Sequence, residues 1–209
     1  MSREFDTVRS GYDRIGVAYR DWSRHSAVRL RWVQHLLGLL AEDSLVLDLG
    51  CGSGEPATRM LAEQHRVIGV DASAQQLGLA ARAAPSALFV QADMTRLALR
   101  PQSVDAVASF YATGHVPSRS HRRLLGEVAE WLRPGGVLLT SFPLTRGDGV
   151  EPEWLGVPMF FGGVGEAATH AALTAAGLVI EHWEVVPEDE GDGRIVSFGW
   201  VVARKPPQG

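Results

Sequence analysis

Asp48-Leu49-Gly50-Cys51-Gly52-Ser53-Gly54 puts three glycines at alternate positions directly behind the apolar run Leu45–Leu49. Glycine reaches backbone conformations that other residues avoid, so this segment can turn sharply and bring its amides close to a ligand at the start of a helix. A short buried strand, a glycine turn and a helix open the alternating α/β arrangement. The rest of the chain follows the same order. Val67–Asp71, Ala87–Gln91, Val104–Phe110 and Gly136–Ser141 read as further strands, with helices from Pro56 to about Gln64, after Ser73, from Ser120 to Leu132 and from Glu166 to Ala176. Ser73 with Gln76 three residues on is a capping-box signature. Strands at about Leu178–Val186 and Arg194–Arg204 close the chain. Their short link forbids a parallel crossover, so they form an antiparallel hairpin.

Before the first strand the periodicity is helical. Phe5, Val8, Tyr12, Ile15 and Tyr19 recur at steps of three and four, and Val28, Trp32, Leu36, Leu39 and Leu40 follow a similar pattern. The expected fold is therefore α/β: a doubly wound, mostly parallel seven-stranded sheet with an antiparallel last strand and N-terminal covering helices. One domain is expected over residues 1–209, a helical cap at 1–42 and a ligand-binding core at 44–204.

Composition narrows the function. A net charge of −4 gives no electrostatic reason to expect nucleic acid as partner. Cys51 is the single cysteine, the N-terminus lacks the apolar core of a signal peptide, and no apolar run approaches the ~20 residues that span a bilayer. These features point to a cytoplasmic protein with neither nucleic-acid nor membrane partner. The remaining histidines (His25, His35, His65, His121, His170 and His182) show no metal-ligand spacing, so no metal is expected. Arg20, Arg24, Arg29 and Arg31 read as a solvated basic face, and Glu188, Asp189, Glu190 and Asp192 as a solvated acidic hairpin.

The spacing of the loop is G-x-G-x-G, whereas a dinucleotide fingerprint needs G-x-G-x-x-G or A, and Glu55 stands where the third small residue would lie. Asp48 and Glu55 flank the loop; they would repel a pyrophosphate but suit the ammonium and sulfonium of S-adenosylmethionine. Asp71 ends the second strand 17 residues after Gly54, where an acid can accept both hydroxyls of a ribose. Asp93 follows the third strand, where it can accept from an adenine amino group while Met94 covers the ring; the alternative for Asp93 is a helix N-cap.

On Val46–Gly54, Val70-Asp71, Ala92-Asp93-Met94 and Leu132-Arg133-Pro134-Gly135-Gly136, the chain resembles the class I S-adenosylmethionine-dependent methyltransferases, in their short bacterial small-molecule branch. The resemblance covers about residues 44–204. It implies that the glycine loop (Asp48, Gly50, Cys51, Gly52, Gly54) holds the methionine moiety, Asp71 the ribose and Asp93 the adenine. Ala72, Met94, Phe110, Tyr12 and Tyr19 complete the expected cofactor contacts.

The acceptor is expected beyond the carboxyl end of the fourth strand. His115, in Tyr111-Ala112-Thr113-Gly114-His115, is the candidate base near pH 7, with Tyr111 beside it. Trp22, Trp154, Met159 and Phe160 are the other expected substrate contacts, the last three in an apolar loop without strand or helix period that would roof the site. The reading that follows is methyl transfer to a small molecule, a bacterial metabolite by family resemblance. The alternatives are an S-adenosylmethionine-binding regulator, or a pocket used for rearrangement or cyclisation. A nucleic-acid methyltransferase is less consistent, because Ser109-Phe110-Tyr111-Ala112 stands where an Asp/Asn-Pro-Pro-aromatic motif belongs. Nicotinamide-dependent reduction is disfavoured by the glycine spacing.

Overall fold

The computed structural model describes residues 2–189 and 193–207; Glu190 and Asp192 of the expected acidic hairpin lie outside the described residues. Ser2 Oγ accepts the Phe5 amide and opens α1 (Arg3–Ser23), and Ser26 Oγ accepts the Arg29 amide and opens α2 (Ala27–Leu39). The alternating part then runs β1 (Leu45–Leu49), α3 (Ala57–Ala62), β2 (Arg66–Asp71), α4 (Ala74–Ala83), β3 (Leu88–Gln91), β4 (Val104–Ser109), α5 (Ser118–Trp131) and β5 (Leu132–Pro143). Next come β6 (Arg146–Trp154), β7 (Val157–Val164), α6 (Glu166–Ala175), β8 (Val179–Asp189) and β9 (Ile195–Arg204). Pro56 caps α3 rather than starting it. Ser73 Oγ does accept the Gln76 amide, but the Gln76 carboxamide reaches across to the Gly16 carbonyl instead of closing the capping box.

The main sheet has seven strands in the order β3-β2-β1-β4-β5-β9-β8, with β9 antiparallel to both neighbours. The order reverses between β1 and β4, which leaves a crevice beyond their carboxyl ends, the usual ligand position in such sheets. Side chains alternate across the sheet. Leu47 and Leu49 join the core under α5 and α6, whereas Val46 joins the core of Trp32, Val33, Leu36 and Leu61 from α2 and α3. Asp48 is therefore directed to the α2/α3 side.

The expected apolar loop from Trp154 to Phe161 is instead part of a second sheet, the antiparallel hairpin β6-β7, which brings the strands to nine among the described residues. Leu155 and Gly156 both take positive φ (49° and 80°), the requirement of a tight two-residue hairpin turn. Trp154 and Val157 pair across it. Continuous apolar character hid the alternation, because β7 packs against α1 and also against β5, α5 and the turn after β4. Met159, Phe160, Val157 and Trp154 bury against Val8 and Ile15 of α1 in a satellite core. A Cβ at Gly11 would stand 2.7 Å from Met159 Cε, so α1 and the hairpin meet without space for a side chain there.

This contact predicts the stability of the cover. Met159 is 0% exposed. Met159→Ala is expected to lower the unfolding free energy by about 2–5 kcal/mol in urea titrations. Amide exchange should accelerate in α1 and β7 before it changes in β1.

Candidate active site

Three glycines with positive φ (Gly50 72°, Gly52 54°, Gly54 77°) carry the chain from β1 to α3. The amides of Gly50 and Cys51 both donate to the Val70 carbonyl, at 2.7 and 3.0 Å, which fixes the loop to the end of β2. The three glycines do different things. A Cβ at Gly50 would collide with Ala112, and one at Gly54 would press on Ala80 at 3.1 Å. At Gly52 the nearest atom would be Gln76 Oε1 at 3.9 Å, and that oxygen is buried without a partner. The backbone at Gly52 thus has room beside it and an unused acceptor nearby.

Asp71 is fixed by two backbone amides. Its Oδ2 accepts the Gly52 amide and its Oδ1 the Ser73 amide, both at 2.9 Å. Burial pushes its pKa up to about 6, against the lowering effect of these amides. Asp93 Oδ1 accepts both the amide and the hydroxyl of Thr95, so Asp93 does cap a 3-10 turn, Met94–Arg96; Oδ2 takes neither bond. Asp71, Ala72, Asp93 and Met94 line one cleft of about 240 Å³. Asp48 does not reach it. Only 2% exposed, Asp48 accepts the Thr58 hydroxyl at 2.6 Å, and burial raises its pKa to about 6. Cys51 is buried, and burial raises its thiol pKa.

A larger cavity, about 800 Å³, is lined by Tyr12, Tyr19, Trp22, Tyr111, His115 and Trp154 among others. His115 also lines the smaller cleft, so one ring borders both spaces. Its Nδ1 donates to the Phe160 carbonyl at 2.8 Å, which leaves Nε2 as acceptor for the Tyr12 hydroxyl, also at 2.8 Å. Burial lowers its pKa to about 4, below the value suited to accepting a proton near pH 7. Tyr111, at the left-handed φ of 64°, donates its hydroxyl to Glu188 at 2.7 Å. Burial and the facing carboxylate raise the Tyr111 pKa, so the phenol stays protonated. Both candidate bases are accordingly hydrogen-bonded, neutral groups in this structure.

Several expected contacts lie elsewhere. Met159 and Phe160 are buried in the satellite core, Met159 against Gly11 of α1; Phe160 meets His115 through its carbonyl, and Phe161 lines the cavity instead. Phe110 packs against Trp200 in the α2/α3 core. Arg29 and Glu188 line the cavity although both read as solvated in the sequence. A signal for Arg29 was present: it lies three, four and seven residues before Trp32, Val33 and Leu36, on the buried face of α2.

The crevice at the switch point of a doubly wound sheet, with a glycine turn at its edge, is where α/β proteins of this class hold their ligands. Residues 46–136 match the family described as Methyltransferase domain. The chain is 38% identical over 120 residues to trans-aconitate 2-methyltransferase of Azoarcus sp. (strain BH72), which spans 55% of this chain and 46% of that protein. It is also 38% identical over 110 residues to 27-O-demethylrifamycin SV methyltransferase of Amycolatopsis mediterranei (strain S699), covering 49% of this chain and 39% of that protein. Each match spans less than half of the relative's length. The structure of the DhpI–SAH complex superposes with a TM-score of 0.74 at 21% identity, covering 100% of both chains, which establishes likeness of fold. Over residues 46–136 the chain is thus similar to a methyltransferase domain, and its fold is like that of a protein solved with S-adenosylhomocysteine.

Asp48 generates a pH prediction. Its carboxyl titrates near 6 in the folded protein and near 3.8 as a free side chain, so the folded state binds the proton more tightly. Stability is lost as pH rises from about 4 through 6, and the handicap is complete above 6. Asp48→Asn keeps an acceptor for Thr58 and removes the charge. It is expected to raise the unfolding free energy at pH 7.5 by at most about 3 kcal/mol, by about half as much at pH 5, and not at all near pH 4, in denaturant titrations at each pH.

Proposed function

We propose that this protein transfers a methyl group from S-adenosylmethionine to a small-molecule acceptor in the cytoplasm. The observation that carries the reading is the shared wall at His115, where a nucleoside-sized cleft meets a larger aromatic cavity. When bound, S-adenosylmethionine supplies an electrophilic methyl on a positive sulfur. The chain's own residues hold and align. Asp71, already fixed by two amides, accepts the ribose hydroxyls. Asp93 and Met94 take the adenine, and the backbone around Gly52 takes the amino-acid end.

On the acceptor side, His115 acts by position. With Nδ1 bonded to the Phe160 carbonyl and its pKa near 4, it orients the Tyr12 hydroxyl and closes the wall between the two spaces. Tyr111 is oriented in turn by Glu188. Orientation and exclusion of water can supply roughly 7–11 kcal/mol of a displacement barrier, more than the factor of about 10²–10⁴ from a general base. A neutral, bonded wall is therefore sufficient for methyl transfer.

The aromatic lining of the cavity favours a small acceptor over a nucleic acid. Two relatives are named for small acceptors, trans-aconitate and a demethylrifamycin. Among the described residues no helix is long and apolar enough to cross a membrane, and the single buried thiol suits a reducing compartment.

Calorimetry tests the cofactor half of this reading. S-adenosylhomocysteine is expected to bind, with Asp71→Ala weakening it by about 10- to 100-fold through the loss of charge-assisted hydrogen bonds. NAD binding more tightly than S-adenosylhomocysteine would reverse the assignment.

A further inference from the structure

Two groups of rings line the larger cavity. From α1 and the hairpin β6-β7 come four that touch one another: the Trp154 ring centre lies 5.8 Å from Tyr19, 6.2 Å from Trp22 and 5.6 Å from Phe161. From the turn after β4 and from β9 come Tyr111 and Phe198, which meet edge-on at 5.0 Å. Trp22 is 45% exposed and Ile195 60%, and both line this cavity. Large apolar side chains left in water at one opening mark a surface that a ligand covers.

Charge and hydrogen bonding then select among aromatic ligands. Among the described residues the cavity is lined by three carboxylates, Glu151, Glu188 and Asp189, and by two guanidiniums, Arg29 and Arg194. Both guanidiniums are engaged. Arg194 Nη1 donates to both oxygens of Glu151 at 2.8 Å, while Arg29 is stabilised by the Tyr19 hydroxyl and lies 4.8 Å from the centre of the Tyr111 ring. A ligand with several carboxylates would add like charge to a wall that is already negative. A phenol has one proton, and Tyr111 gives its own to Glu188, both of whose oxygens lie 2.7 Å away. The Tyr111 oxygen and the Glu188 carboxylate can therefore only accept from a further partner. His115 nearby has its one proton on the Phe160 carbonyl. Tyr111 is held there at a φ of 64°, a costly conformation for a tyrosine. This wall offers acceptors and lacks a donor.

We propose that the large cavity takes an aromatic compound that presents a hydroxyl or amine hydrogen to the Tyr111–Glu188 pair, and that it excludes small polycarboxylates. In calling this compound the methyl acceptor, the inference rests on the methyl-transfer reading. The ring wall and the accepting pair define the ligand's chemistry on their own.

Calorimetry with four probes tests it, on the protein alone and on protein saturated with S-adenosylhomocysteine. 2-Naphthol has the rings and the donor, and 2-methoxynaphthalene has the rings without the donor. 2-Naphthoate has the rings with a negative charge, and trans-aconitate has three carboxylates and no ring. 2-Naphthol is expected to bind at least about tenfold more tightly than each of the others. Trp22→Ala should weaken 2-naphthol about three- to tenfold at an unchanged melting temperature, and Trp22→Phe should recover most of the loss. Glu188→Gln should bring 2-naphthol and 2-naphthoate within about threefold of each other, because the repelling charge is gone. Tighter binding of either carboxylate probe, equal binding of 2-naphthol and 2-methoxynaphthalene, or no binding of 2-naphthol would overturn the proposal. So would a Trp22→Ala protein that binds 2-naphthol as wild type does. If S-adenosylhomocysteine fails to bind while the four probes keep this order, the methyl-transfer reading falls and the aromatic site stands.

Discussion

The carbonyl of Val70 holds the arrangement together. It accepts the amides of Gly50 and Cys51, and the next residue, Asp71, accepts the amide of Gly52 through its side chain. The loop after β1 is thus bonded to the end of β2 by three donors, and Leu49 and Val70 pair there as buried neighbours of parallel strands. Gly50 must lie against Ala112 and Gly54 against Ala80 for these bonds to form, so the turn after β4 and the helix α4 are placed by the same contact. Both sides of the crevice inherit their position from it.

Buried charge is the second constraint. Asp48 and Asp71 are held by hydrogen bonds in surroundings that favour their neutral forms, and His115 is kept neutral by burial. Such groups are retained against their local cost where a ligand or a reaction uses them. The same reasoning distinguishes the polar groups that are satisfied internally, Tyr12 with His115 and Tyr111 with Glu188, from Gln76 Oε1, which is left without a partner.

The sheet was legible in the sequence because its inner strands are short apolar runs ended by Gly or Asp, and because Asp48, Asp71 and Asp93 stand at their ends. The hairpin β6-β7 was not. Its buried strand is apolar nearly throughout, so no alternation marks it, and Leu155-Gly156 lacks the Asn-Gly signature of such turns. The cleft of Asp71 and Asp93 was legible because its residues follow strand ends in order. The larger cavity was not, because it is assembled from distant segments: Arg29 from α2, Glu188 from β8 and Phe161 from β7 meet only in three dimensions. A charge counted along the chain looks solvated; its helical face shows that Arg29 is not.

His115 borders both spaces, but the walls on its two sides have different origins along the chain. The loop, Asp71 and Asp93 all fall within residues 46–136, the stretch that matches the methyltransferase domain. Tyr12, Tyr19, Trp22 and Arg29 precede that stretch, while Trp154, Phe161 and Glu188 follow it. The boundary between what is shared with the family and what is particular to this chain therefore runs through a single imidazole. Substitutions in α1, α2 or the hairpin can reshape the outer chamber while leaving the cleft of Asp71 and Asp93 intact, so the two spaces can change independently.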